Sequence, residues 1–127
     1  MLSEFTEIKR LHAMLNEVDI PHEFKEWKHD SNDGYQLCYP FSGEGRVCNV
    51  VQTNNSYGGE DNRLEIMGLL TDEEREEDDV AGWLTAEEVF ARIAFHWKNA
   101  SEKRRVICIP MKLKKLLQQY MLAETYL

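Results

Sequence analysis

Histidine, cysteine, serine and paired carboxylates are the side chains that carry most protein chemistry, and their spacing in this chain assembles no reaction. His12, His22, His29 and His96 are dispersed. Six residues separate His22 from His29, and neither that interval nor any spacing of Cys38, Cys48 and Cys108 matches a zinc site. The histidines therefore read as structural or surface groups. Glu23-x-Lys25 and Glu26-x-Lys28 carry the carboxylate-x-lysine spacing of metal-dependent nucleases, in which alternate strand positions set both groups beside a magnesium ion. Such pairs are common by chance, and no acidic residue on a clear preceding strand supplies the second ligand, so they read as surface ion pairs. No serine or cysteine can be paired with a base as a nucleophile. The expectation is no catalytic residue, no metal and no cofactor.

Two segments fit binding instead. In Ser56-Tyr57-Gly58-Gly59-Glu60-Asp61 the glycines let backbone approach a ligand closely, and Tyr57 offers a stacking face and a hydroxyl. The loop lacks the lysine and following helix start of a phosphate-binding loop, so Tyr57, Gly58, Gly59 and Glu60 are ligand-binding candidates set against a plain turn. The second segment is an octet with seven carboxylates, Asp72, Glu73, Glu74, Glu76, Glu77, Asp78 and Asp79, interrupted by Arg75. Such a run is a solvated, self-repelling connector, or a partner-binding surface that imitates the phosphates of nucleic acid.

The elements that must position these segments are legible from periodicity. Ile8, Leu11, Leu15 and Val18 recur at helical steps after Phe5, which predicts an amphipathic helix over about 3–18, closed by Pro21. His22 to Lys28 reads as a short strand, followed by the turn Asp30-Ser31-Asn32-Asp33-Gly34. Tyr35, Leu37, Tyr39 and Phe41 alternate, Ser42-Gly43-Glu44-Gly45 turns the chain, and Arg46 to Thr53 returns it. Pairing Phe41 with Arg46 puts Tyr39 opposite Cys48 and Leu37 opposite Val50, so Cys38 and Cys48 point to opposite faces and cannot form a disulfide. A further strand spans about Arg63 to Leu70. Thr71 with Glu74, and Thr85 with Glu88, are capping boxes; the second opens a helix whose Val89, Phe90, Ile93, Ala94 and Trp97 line one face, with Leu84 and Val89 as its hydrophobic staple. The first opens the octet, in which nothing can be buried, and reads as a short solvated helical turn or a loop.

Beyond Asn99, Lys103-Arg104-Arg105 leads into a β-prone run at Val106-Ile107-Cys108-Ile109, stopped by Pro110. Lys112 to Tyr126 then reads as a terminal helix. Its Leu113, Leu116, Leu117 and Tyr120 form a face that packs on the chain's own sheet or on a partner, a homodimer included. The fold class is thus α+β: an N-terminal helix, a three- or four-stranded antiparallel meander, a capped second helix, and a C-terminal strand and helix. One domain spans 1–127, with a core at about 3–97 and a basic extension over 98–127.

Charge sharpens that division. Through Trp97 there are 21 acidic and 8 basic residues, and from Lys98 onward 2 acidic and 7 basic, giving formal charges of −13 and +5 within the net −8. The basic tail more readily neutralises such a body, within or between chains, than it binds nucleic acid. No apolar run reaches the roughly 20 residues of a membrane span, and no secretory leader is visible, so a cytoplasmic protein with reduced cysteines is expected.

The stretches Gly34-Tyr35-Gln36, Val47-Cys48-Asn49-Val50-Val51, Ser56-Tyr57-Gly58-Gly59, Leu64-Glu65-Ile66-Met67-Gly68-Leu69-Leu70-Thr71 and Gly82-Trp83-Leu84-Thr85-Ala86-Glu87-Glu88-Val89 resemble small proteins encoded by phages and prophages of Gram-positive bacteria. The resemblance covers about residues 5–97 and rests on turns, caps and core strands. It implies a bacterial cytoplasmic setting in which small acidic phage proteins bind and inhibit host machinery, and it carries over no functional residue. The expected function is a non-catalytic protein-binding module of phage or prophage type. A nucleic-acid-mimicking inhibitor of a host DNA- or RNA-handling enzyme comes second. Third is a small metal-dependent nuclease or ligand-binding enzyme using Glu23 or Glu65.

Overall fold

The structure, a computed structural model, describes residues 4–104. Helix α1 (Thr6–Glu17) leads into strands β1 (Glu23–His29), β2 (Asn32–Tyr39), β3 (Cys48–Thr53) and β4 (Leu64–Met67). Helix α2 (Asp72–Glu77), strand β5 (Ala81–Leu84) and helix α3 (Ala86–Arg104) follow. The five strands form one antiparallel sheet in the order β1-β2-β3-β4-β5. The expected α+β meander is present, with β5 added from the segment just ahead of the second capping box.

The pleat sorts the sheet into two faces. Leu37, Tyr39, Cys48, Val50, Leu64 and Ile66 are buried on one of them, together with Ile8, Leu11 and Leu15 of α1 and Val89, Phe90, Ile93 and Ala94 of α3. Each fully buried aliphatic side chain of this kind contributes about 1.5–3 kcal/mol relative to exposure. Tyr39 pairs with Cys48 and Leu37 with Val50, the register deduced from alternation. Cys38 sits opposite Asn49 on the other face, and both cysteines are buried and free.

Helix starts are satisfied in two ways. Locally, the Glu74 amide donates to Thr71 Oγ1 and the Thr71 amide to Glu74 Oε1, and Glu88 and Thr85 repeat the exchange, so both capping boxes form. Helix α1 instead starts after Phe5, whose left-handed backbone gives no side-chain cap. Its free amides are met from across the fold. The Ile8 amide donates to Gln52 Oε1 at 3.0 Å, and the Glu7 amide to Asn62 Oδ1 at 3.2 Å. Gln52 Nε2 donates to the same Asn62 oxygen at 2.7 Å, which ties the two caps together. Glu7 then returns the service to α3, accepting the Ala86 amide at 2.6 Å, while Arg10 pairs with both Glu7 and Glu87.

The acidic octet needs a correction. It was expected to bury nothing, yet Glu74 is half-buried and its two carboxylate oxygens accept from Arg92 at 2.8 and 3.0 Å. Arg92 lies on α3, is itself buried, and also donates to the Leu69 carbonyl at 3.1 Å. A carboxylate can enter a core when a guanidinium comes to meet it, and no pattern in the octet records that partner. Helix α3 also runs on to Arg104, so the change of composition after Trp97 falls inside a helix.

Candidate functional site

The loop after β3 and the bulge in β5 meet at one corner of the sheet and build its most exposed aromatic surface. Leu64 pairs with Leu84 and Ile66 with Ala81, which leaves one extra residue in β5, at Gly82-Trp83. A bulge of this kind re-aims a side chain. Trp83 adopts φ +57°, a left-handed backbone that a bulky residue rarely accepts, and its side chain is 58% exposed. Backbone strain held at an exposed aromatic points to use rather than to stability.

Tyr57 faces it, 48% exposed, with ring centroids 5.9 Å apart and planes within 10°. Two further contacts set the pair. The Trp83 amide donates to the Tyr57 carbonyl at 3.2 Å, and the Trp83 indole Nε1 donates to Asp61 Oδ2 at 2.9 Å. Glycines make the approach feasible. A Cβ on Gly82 would lie 2.3 Å from Tyr57 Cβ, and one on Gly59 would lie 2.0 Å from the Thr53 carbonyl oxygen. Gly58 has φ +90° and sits against the Trp83 backbone, leaving no room for a side chain there either.

Beside the aromatic pair lies an open pocket of about 290 Å³ lined by Asn54, Asn55, Glu60, Asp61 and the Trp83 ring. Glu60 and Asp61 give it negative charge, beside the amides of Asn54 and Asn55 and the Ser56 hydroxyl. Asn54 Oδ1 is shielded from water and has no hydrogen-bond partner, while its Nδ2 is engaged by the Ser31 carbonyl at 3.2 Å. Two carboxylates beside an indole suit a flat, donor-rich cation, above all a guanidinium.

The residues singled out from sequence fall into three groups. Tyr57 and Glu60 lie at this corner, and Gly58 and Glu60 line its pocket or frame it, with Gly59 packed beneath. Of the octet, Asp72, Glu73, Glu76, Glu77, Asp78 and Asp79 are exposed along and after α2, whereas Glu74 is spent on Arg92 and the cap. Leu113, Leu116, Leu117 and Tyr120, with the strand and helix expected around them, lie outside the described residues. Trp83, Asp61 and Asn54 were not singled out. The available signal was Gly82-Trp83, a large aromatic after a glycine that breaks the alternation of Ala81 and Leu84.

The carboxylates of the two carboxylate-x-lysine pairs have near partners. Glu23 accepts from the Ser42 amide at 3.1 Å and its hydroxyl at 2.8 Å, contacts that pull its pKa below the usual carboxylate range. Glu26 pairs with Lys28 at 3.6 Å on the surface, and Glu65 accepts the Tyr57 amide at 2.8 Å. Among the described residues no group of three or more histidine, cysteine or carboxylate side chains could hold a metal ion. The half-buried His96 shares a hydrogen bond with the Tyr39 hydroxyl, 2.7 Å from its Nδ1. Among the described residues, no helix is long and apolar enough to cross a membrane.

Comparison with protein-family models, with curated proteins and with solved structures finds no match.

Proposed function

We propose that this chain is a non-catalytic protein-binding module, of phage or prophage type and cytoplasmic, whose Tyr57–Trp83 corner takes an arginine from a basic segment of its partner. The observation that carries this reading is Trp83, a strained and exposed indole held against Tyr57 beside a pocket lined by two carboxylate residues, Glu60 and Asp61. A guanidinium laid on the indole gains about 0.5–2 kcal/mol, and the carboxylates of Glu60 and Asp61 add charge-assisted acceptors. The acidic body around them raises the local concentration of a cationic partner.

A peptide selection against the purified chain tests it. Arginine-bearing peptides should be enriched, and Trp83→Gly should weaken them at least tenfold. The same substitution suits a left-handed position, so the melting temperature should hold or rise. Peptides without arginine, or an affinity indifferent to Trp83→Gly, would overturn the reading. A second reading, the nucleic-acid-mimicking inhibitor, is favoured by one feature: Arg92 and the capping box hold α2 in place with its other carboxylates outward. It prevails if affinity for a host nucleic-acid enzyme depends on neutralising Asp72, Glu73, Glu76, Glu77, Asp78 and Asp79 and not on Trp83.

A further inference from the structure

The fold brings together two histidines that lie ten residues apart in the sequence. His12 Nδ1 on α1 lies 2.8 Å from His22 Nε2 on the link into β1. His22 Nδ1 is 2.7 Å from the Ile20 carbonyl oxygen and must donate to it, which leaves the Nε2 lone pair aimed at His12. A backbone carbonyl holding the far nitrogen is the usual outer partner of a metal-bound histidine. The His12 ring is clamped as well. It stacks on Phe24 with centroids 4.2 Å apart and planes within 10°, and Phe24 stacks in turn on Tyr35 at 5.3 Å. Both histidines are half-buried, so solvent reaches the space beside them.

We infer that His12 and His22 form a two-histidine site for a divalent transition-metal ion of the copper, nickel or zinc kind. Two imidazole nitrogens bound to one ion at about 2.0–2.1 Å stand roughly 2.8–3.4 Å apart, from a right-angled to a tetrahedral opening. The hydrogen-bonded separation of 2.8 Å lies at the right-angled end of that range, which copper(II) and nickel(II) prefer, and the rings turn on binding so that both lone pairs meet at the ion instead of along the nitrogen–nitrogen line. In the metal-free chain His12 donates its Nδ1 proton to His22 Nε2. On binding, the ion takes the place of that proton, and the proton moves to His12 Nε2. Asn16 lies 3.4 Å from Nε2 and can turn its amide oxygen to accept it. Both rings stay neutral, no proton is released, and water fills the remaining coordination positions. The ion then clips the middle of α1 to the entry of the edge strand β1.

The test uses the full chain, freed of metal by chelation, with copper(II) and zinc(II) chlorides as probes at physiological salt. One equivalent should bind and raise the melting temperature. His12→Gln and His22→Gln should each lower the affinity at least tenfold, and His29→Gln should leave it unchanged. Because the first two changes touch packed groups, a second measurement avoids substitution altogether. Zinc added to labelled wild-type protein should shift the imidazole nitrogen signals of His12 and His22 ahead of those of His29 and His96. Affinity lost equally on His29→Gln, or first shifts elsewhere, would overturn the site.

Discussion

Replacing Glu74 by alanine should destabilise the protein far more than any other change in the acidic octet. The Arg92 side chain is only 4% exposed and that of Glu74 25%, so removing the carboxylate takes a two-oxygen, charge-assisted acceptor from a buried guanidinium. Breaking a buried pair on one side costs about 3–5 kcal/mol, and the quarter exposure of Glu74 places this case near the lower end. The Thr71 amide loses its acceptor at the same time. For a domain of this size about 3 kcal/mol corresponds to a fall in melting temperature on the order of 10 °C. Glu76→Ala, on the same helix but exposed, should stay within about 0.5 kcal/mol of the parent. Urea unfolding of both variants, with Arg92→Met and the double variant completing a cycle, measures the coupling.

The same pair dictates a pH dependence. Arg92 above all holds the Glu74 pKa below its ordinary value of 4.5 against the opposing effect of burial, and the Thr71 contacts add to the depression. A carboxyl whose pKa is depressed by folding stabilises the native state in full above its unfolded pKa. That stabilisation is lost as the pH falls through the folded value. The gap between the parent and Glu74→Gln should therefore be complete at pH 7 and shrink below about pH 4. If Glu74→Ala and Glu76→Ala unfold at the same urea concentration, or if the Glu74→Gln gap persists unchanged in strong acid, the pair is not the anchor described.

Two further outcomes follow from other contacts. Gln52→Leu keeps the volume but leaves the buried Ile8 amide and the Asn62 cap unmatched; it should cost about 1–3 kcal/mol, read by denaturant unfolding, and an unchanged midpoint would refute the cross-fold cap. Burial pushes the Cys48 thiol pKa up to about 12, so alkylation at pH 8 followed by peptide mapping should leave Cys48 unmodified in native protein and modified after denaturation.

The parts of the fold that were legible in the sequence are those whose cause is local. The stripe of Ile8, Leu11 and Leu15 states a helix, and the alternation of Leu37 and Tyr39 against Cys48 and Val50 states a strand pair with its register, because one face must be buried. Both threonine caps were visible, since donor and acceptor lie three residues apart. The opened end of α1 was not, because Phe5 offers no cap and the replacements, Gln52 and Asn62, lie 44 and 55 residues from the amides they serve. Glu74 looked like its neighbours for the same reason: its partner is on α3.

The candidate site divides along the same line. Composition alone marked Tyr57, Gly58, Gly59 and Glu60 as a loop that could approach a ligand, since glycine and an aromatic announce themselves at any position. Trp83 could not be assigned to that loop from sequence. Its direction depends on a bulge in β5, and a bulge exists only relative to the strand beside it. Likewise His12 and His22 follow no metal spacing, and become neighbours only when α1 folds back over β1. Sequence determined α1, strands β1 to β4 with the register of β2 on β3, both threonine-capped helix starts and the sign of the charge, because those follow from near-neighbour chemistry. Tertiary structure alone decided which polar groups satisfy one another across the core and which aromatic rings share a surface, because those pairings are set by packing rather than by separation along the chain.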